Sequence, residues 1–160
     1  MSAATDQGSK DSITIRPMLT DDYEDVRKLW NGIHRLGIRS VDDAKEGILR
    51  FLERNPGISV VAQYKEEIIG TILCGHDGRT GCFYHVCVKE SMRRQGIGRQ
   101  MVEAAVGALK KERISKISLF AFTDNSLGNE FWKRIGFMKR EDMFNYEWQL
   151  NEANTTSFNR

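Results

Sequence analysis

The chain lacks the features of a membrane-spanning, disulfide-built or nucleic-acid-binding protein. No apolar run approaches the ~20 residues needed to cross a bilayer. Met1 to Ser12 is polar, without the apolar centre of a secretory leader. A cytoplasmic protein with no membrane partner is the expectation. Net charge is +2 over 160 residues, too balanced for nucleic acid to be held by a basic surface. The three cysteines, Cys74, Cys82 and Cys87, form no paired motif, and an odd count without scaffold spacing reads as reduced thiols. His76 and His85 lie nearby, but there is no CxxC or HxxxH. Cys82 and His85, three apart on an expected strand, should face opposite sides. No metal is expected.

What is present suits one packed domain: 40% of residues are hydrophobic and 29% charged. Residues 1–11 and 151–160 are polar and expected as flexible tails around a single domain over 12–150. There are only two prolines. Pro17, near the end of an alternating run from Ser12 to Leu19, implies an edge strand. Pro56, between Asn55 and Gly57, stops a helix. Asp21 and Glu24 form a helix-start signal before Val26, Leu29, Trp30 and Ile33. Ser40 to Asp43 forms a second, before Ala44, Ile48, Phe51 and Leu52. A three-strand meander should follow over Ile58–Tyr64, Ile68–Gly75 and Cys82–Val88. Then come a helix over Arg99–Glu112, a strand over Ile117–Phe122, and a helix over Asn125–Ile135 ended by Gly136. One or two last strands should lie within Phe137–Leu150. This order predicts an α/β domain with helices packed on a mixed sheet.

The most informative stretch is Arg93-Arg94-Gln95-Gly96-Ile97-Gly98, which follows the apolar run His85-Val86-Cys87-Val88 and opens a helix. A strand, a basic Gly loop and a helix N-terminus together aim N–H groups and positive potential at one point, as phosphate binding requires. A Walker A loop would need Lys and Ser/Thr after the Gly, and neither is there. A dinucleotide fingerprint would need a third Gly where Met101 stands, which disfavours a nucleotide-dependent oxidoreductase. Cations at a helix N-terminus are unfavourable by about 0.3–1 kcal/mol each, so Arg93 and Arg94 favour an anionic ligand.

Residues 82–150 resemble the GNAT acetyltransferase superfamily in two motifs at matching spacing. The first is an apolar strand followed by Arg93-x-x-Gly96-x-Gly98. The second is Asn125, opening a helix that carries Phe131-Trp132 and ends in Gly136-Phe137. The Gly75–Arg79 hairpin is similar to one in small bacterial members of poorly defined substrate. The resemblance implies a GNAT acyl-CoA N-acyltransferase fold, a mixed and mostly antiparallel sheet flanked by helices, with acetyl-CoA as co-substrate. It implies that the N–H groups of Arg94, Gln95, Gly96, Ile97, Gly98 and Arg99 cradle a pyrophosphate, with Arg93, Arg94 and Arg99 adding charge. Val86 and Val88, with Cys87 between them, would pair with the pantetheine arm. Asn125 would bind that arm or simply cap its helix.

Acetyl transfer to an amine needs a polarised carbonyl, a neutral amine, a proton acceptor and a stabilised leaving thiolate. The N–H of Val88 or Cys87 is the natural oxyanion donor. The family usually meets the sulfur with a Tyr, and Trp132 occupies that position here. Indole N–H donates a hydrogen bond but delivers no proton, so Tyr84, Tyr146 or water could stand in. No Glu occurs within Cys82–Val88 or Ile117–Phe122, leaving His85 and Tyr84 as the nearest candidate bases. The resemblance places the acceptor against the first two helices and a late hairpin, where Trp30, His34, Arg35, Arg39, Phe144 and Tyr146 are candidates. Expected acceptors are a small-molecule amine or a peptide or protein N-terminus. A homodimer paired through the last strands stays open, as does a non-catalytic acyl-CoA sensor.

Overall fold

The structure is a computed structural model that describes residues 12–160; the expected tail at 1–11 lies outside the described residues. Strand β1 (Thr14–Pro17) and a 3-10 turn (Thr20–Asp22) lead into helix α1 (Tyr23–Asn31). Strand β2 (Gly37–Arg39) and helix α2 (Lys45–Arg54) follow. The meander is β3 (Val60–Tyr64), β4 (Glu67–His76) and β5 (Thr80–Val88). Helix α3 (Ile97–Lys111), strand β6 (Lys116–Ser118), helix α4 (Ser126–Arg134) and strand β7 (Thr156–Phe158) complete the order. The main sheet runs β1-β3-β4-β5-β6, antiparallel throughout except for the parallel β5–β6 pair. β2 and β7 form a separate antiparallel ribbon.

Two cores lie on the two faces of the sheet. Val26, Leu29 and Trp30 of α1 and Ile48 and Leu52 of α2 pack with Val61, Leu73 and Cys87. Ile97, Met101, Ala105 and Leu109, one stripe of α3, pack with Ala62, Ile72, Cys74 and Phe83 on the other face. These are the i, i+3/i+4 positions of each helix, so the burial follows from helical period.

Five expectations change. The first helix-start signal is one residue off. A 3-10 turn precedes α1, and Asp22, not Asp21, accepts the Leu19 N–H at 2.7 Å while forming a paired link with Arg16. The Ser40–Asp43 signal caps nothing: α2 begins after Ala44 with no side-chain cap. Residues 151–160 are no flexible tail. β7 pairs with β2, Asn154 accepts from the N–H groups of Val41 and Asp42, and Asn159 Nδ2 donates to the carbonyls of Trp30 and Ile33. Finally, Phe137–Leu150 forms no strand, and the strand expected over Ile117–Phe122 shortens to Lys116–Ser118.

Candidate active site

β5 is where the site begins, because its register breaks. Thr71 pairs with Cys87 and Leu73 with Tyr84, so His85 and Val86 together face Ile72 alone. This is a β-bulge, and His85 within it has a positive φ of 46°. The bulge turns Tyr84 and His85, neighbours in sequence, to the same face: Tyr84 meets Phe51 of α2 edge-on, and His85 lies against Trp30 of α1. Cys82, two residues before Tyr84, shares that side. The expectation that Cys82 and His85 face apart is therefore corrected, since it assumed unbroken alternation.

The bulge also frees an edge. β6 pairs with β5 only over Thr80–Cys82, so the outer edge from Phe83 to Val88 faces no strand. The Lys89 N–H reaches back to the Ile69 carbonyl at 2.7 Å. By antiparallel alternation, Val88 turns its N–H and C=O to the open side, and Cys87 turns its own toward β4. Arg93 Nε donates to the Val88 carbonyl at 2.9 Å. Arg93 therefore lies across the end of the open edge.

That edge runs into the Gly loop. Arg94 and Gly96 both have positive φ, 64° and 76°, which curls the loop and turns its N–H groups inward. Gly96 is the N-cap of α3, and no acidic residue stands in the first turn. The first N–H groups of a helix have no partner within it, so Ile97, Gly98 and Arg99 add donors to those of the loop. Gly98 also sets a packing distance. A Cβ there would sit 3.2 Å from the Phe131 ring, so its missing side chain lets α4 close on α3.

His85 is held from three sides. Its Nε2 lies 2.8 Å from Asp43 Oδ1. Its carbonyl accepts from Thr71 Oγ1 at 2.8 Å, and that hydroxyl accepts in turn from Trp30 Nε1 at 2.9 Å. The Trp30 and His85 ring centroids are 4.6 Å apart. Asp43 is fixed as well: Oδ2 accepts the Arg39 N–H at 2.7 Å, and its carbonyl accepts from Tyr23 and Arg27. The Asp43 side chain is 4% exposed and the imidazole 13%. An ionised Asp43 places the ring proton on Nε2 and leaves the Nδ1 lone pair as an acceptor. Sequence reasoning missed Asp43, because it reads as part of a helix start. Glycine at 47 is the signal that could have raised it, because a Cβ there would strike the Asp42 carbonyl at 2.4 Å. The loop carrying Asp43 is pressed against α2.

Comparison with known proteins decides the family. The Acetyltransferase (GNAT) family model matches residues 22–137. The chain belongs to this family. Acetyltransferase SG1711 of Sodalis glossinidius (strain morsitans) is 27% identical over 129 residues, covering 81% of this chain and 89% of that protein. The PaiA N-acetyltransferase of Thermoplasma acidophilum, solved with coenzyme A, superposes with a TM-score of 0.70 at 19% identity, over 93% of this chain and 99% of that one. AAC(6')-Iy, solved with a CoA bisubstrate analogue, gives 0.68 at 18% identity, over 87% and 99%. These two share its fold.

The remaining GNAT candidates are placed as follows. Asn125 caps α4 by accepting the Gly128 N–H at 3.1 Å, and its side-chain amide lies over Gly128. Trp132 sits in an aromatic cluster, its ring 5.0 Å from both Phe131 and Phe137 and 6.3 Å from Phe83. Tyr84 is 47% exposed, its phenol pushed up to about 12 by its hydrogen bond with Cys82 and by partial desolvation. On the acceptor side, Trp30 is fully buried, so it acts beneath His85 and touches no acceptor itself. Arg39 pairs with Asp42 and reaches Gln149. Arg35 pairs with Asp124 at 2.6 Å in an exposed link, and His34 is exposed. Tyr146 is 89% exposed and is not brought to the others by any hydrogen bond or ring contact among the described residues. No helix among these residues is long and apolar enough to cross a membrane.

Proposed function

We propose that this protein is a cytoplasmic N-acetyltransferase that moves an acetyl group from acetyl-CoA to a primary amine by direct attack on the thioester. The acceptor is a small-molecule amine or a peptide or protein N-terminus. The observation that carries the reading is the open outer edge of β5, running from the bulge at His85 to Val88 and directly into the N–H-rich start of α3. The residues fit such a ligand. The N–H groups from Arg94 to Arg99, with the Arg94 and Arg99 side chains, suit a diphosphate. The open edge suits an amide-bearing arm that adds to it as a strand would. Arg93 must release the Val88 carbonyl for that arm to pair there.

Acetyl-CoA supplies the activated acyl group; the chain supplies the rest. The Val88 N–H, on the open side, is the donor for the carbonyl oxygen as charge develops. His85 Nδ1 takes the proton of the attacking amine, while Asp43 holds the ring and stabilises its charged form. The indole N–H of Trp132 is the candidate donor to the departing sulfur. Its proton comes from water or from Tyr84, whose phenol stays protonated at neutral pH. Burial pushes the thiols of Cys74 and Cys87 up to about 12 and about 11, so neither offers a thiolate for a covalent relay. Direct transfer needs neither of them.

A second reading, an acyl-CoA-binding module without turnover, is favoured by the packing of Trp132 among three phenylalanines. Thermal unfolding with acetyl-CoA, CoA, NAD and ATP tests binding first: a ligand at 100 times its dissociation constant adds about 2.7 kcal/mol. Stabilisation by acetyl-CoA and CoA alone is expected, and none with either would overturn both readings. Thiol release with a panel of primary amines then separates enzyme from module.

A further inference from the structure

Within Ile68-Ile69-Gly70-Thr71-Ile72-Leu73-Cys74 of β4, Thr71 is the single oxygen-bearing side chain, and it is fully buried. Valine has the same shape and the same preference for a strand, and a buried hydroxyl costs free energy unless it is hydrogen-bonded. Packing alone therefore does not account for a threonine here. Thr71 stands opposite Cys87, the first paired residue beyond the bulge. Its Oγ1 lies 2.8 Å from the His85 carbonyl, 2.9 Å from Trp30 Nε1 and 3.4 Å from Cys87 Sγ.

The direction of these bonds follows from the atoms. An indole N–H only donates, and a carbonyl only accepts. The hydroxyl has one proton, so it accepts from Trp30 and donates to His85. Its second lone pair is left for the Cys87 thiol, which stays protonated because burial pushes it up to about 11. Every bonding direction of the hydroxyl is then used, and its rotation is fixed. The carbonyl it holds belongs to the bulge residue with positive φ, where the ladder is locally disrupted. The backbone of His85 is thus held from β4, and its Nε2 is held by Asp43 at 2.8 Å. Restraints at both ends of one residue define where the Nδ1 lone pair points.

We infer that Thr71 is a positioning residue for His85: its hydroxyl, itself held by Trp30, fixes the bulge carbonyl and so aims the imidazole Nδ1 at the acceptor amine. This rests on the reading of the protein as an acetyltransferase with His85 as base. Being fully buried, Thr71 touches neither acetyl-CoA nor the acceptor and acts only through His85. Trp30 gains a part as well, as the anchor of the hydroxyl. The charged and titratable groups that join this cluster are Asp43 on the ring and Cys87 at the hydroxyl. Tyr23 and Arg27 donate to the Asp43 carbonyl, and Tyr84 stands beside His85 on β5. Replacing Thr71 removes none of them, so a displaced pH–rate profile reports on His85 itself.

Thr71→Val keeps the shape and removes the hydroxyl. Expected are a kcat about 10–100-fold lower, an unchanged KM for acetyl-CoA, and a displaced acid limb of the pH–rate profile. Thr71→Ser, which keeps the hydroxyl, should restore most of the rate. Nitrogen NMR of the imidazole, with His85 assigned by its absence in His85→Gln, needs no turnover. The neutral wild-type ring should carry its proton on Nε2, and the ring in Thr71→Val should be a mixture of tautomers. A Thr71→Val protein that is less stable but keeps the wild-type tautomer and pH profile overturns the inference. So does a rate loss that Thr71→Ser does not relieve, or one matched by weaker acetyl-CoA binding. Should wild type acetylate no amine, the acetyltransferase reading fails by itself; a mixed ring in Thr71→Val then still supports the hold on His85, and an unchanged ring overturns it. Should Thr71→Val not fold, Trp30→Phe removes the same hydroxyl's anchor: a lower kcat at unchanged KM is expected, and an unaltered kcat overturns the inference.

Discussion

Every buried hydrophobic side chain among the described residues lies between Met18 and Ile114. Beyond Ile114 the chain still holds two short strands, a helix and a run of aromatic residues, yet its one buried residue is Asn154. The first region carries the bulge, the Gly loop and the His85–Asp43 pair inside a finished core. The second carries Trp132, Asn125 and β6 on elements that bury nothing fully. Rigid positioning is therefore available to the groups of the first region from one chain alone. The groups on β6 and α4 sit on elements with no fully buried side chain to fix them.

Core truncation should separate the regions most sharply. Met101 is fully buried against Gly70 and the sheet. Met101→Ala should cost about 2–5 kcal/mol in urea unfolding, whereas Leu127→Ala, at 69% exposure, should stay within about 0.5 kcal/mol. Equal losses would dissolve the distinction. Trp148→Ala sharpens it: at 87% exposure, it too should stay within about 0.5 kcal/mol.

Within the first region, His85→Ala should lower kcat by about 10²–10⁴-fold, the usual contribution of a positioned general base. Asp43→Asn should cost less in rate and should change the pH profile, since the ring loses the carboxylate that fixes its tautomer. A stability loss with an unaltered pH–rate profile would reduce the pair to packing.

How much of this is legible in the sequence follows the same division. Helical period marks α1, α2 and α3 and their buried faces, because those helices meet their partners within the chain. The loop at Arg93–Gly98 is readable from residue types alone, since N–H geometry and charge need few neighbours. The bulge is not, because nothing in Phe83-Tyr84-His85-Val86 marks which residue is extra; only pairing against β4 decides it. Asp43 is hidden for a related reason: an acid before a helix resembles a cap until its partner, 42 residues on, is placed. The β2–β7 ribbon rests on Asn154 and Asn159, polar residues that give no periodic signal. The alternation through Leu150 reads as a strand, but the described chain provides no sheet for it.

Glycine strain gives a finer contrast. Gly96 and Gly57 have nearly the same φ, 76° and 77°, and a Cβ at either meets nothing within 4 Å. Alanine at each should cost about 1 kcal/mol through the left-handed backbone. Only Gly96→Ala should also weaken acetyl-CoA binding, measured by the ligand-induced thermal shift. Equal shifts in both variants would separate the loop from the ligand.

The smallest effect compares two Arg–Asp links. Arg16 and Asp22 join across the 3-10 turn with the Asp22 side chain 12% exposed. Arg140 and Asp142 join with theirs 68% exposed. Burial alone would raise the Asp22 carboxyl, but its bonds to Arg16 and the Leu19 N–H outweigh that and hold it below the usual carboxylate range. Its contribution is therefore present above that range and is lost as pH falls through the lowered folded value. The Asp142 carboxyl is drawn down to about 2 by Arg140, but solvent screens the pair and both side chains are ordered by little else, so the link adds almost nothing to a single chain. Asp22→Asn should destabilise the protein at neutral pH, with the gap from wild type closing as the medium becomes acid. Asp142→Asn should leave unfolding unchanged at every pH. An acid-dependent loss from Asp142→Asn would erase the contrast between the buried link and the exposed one.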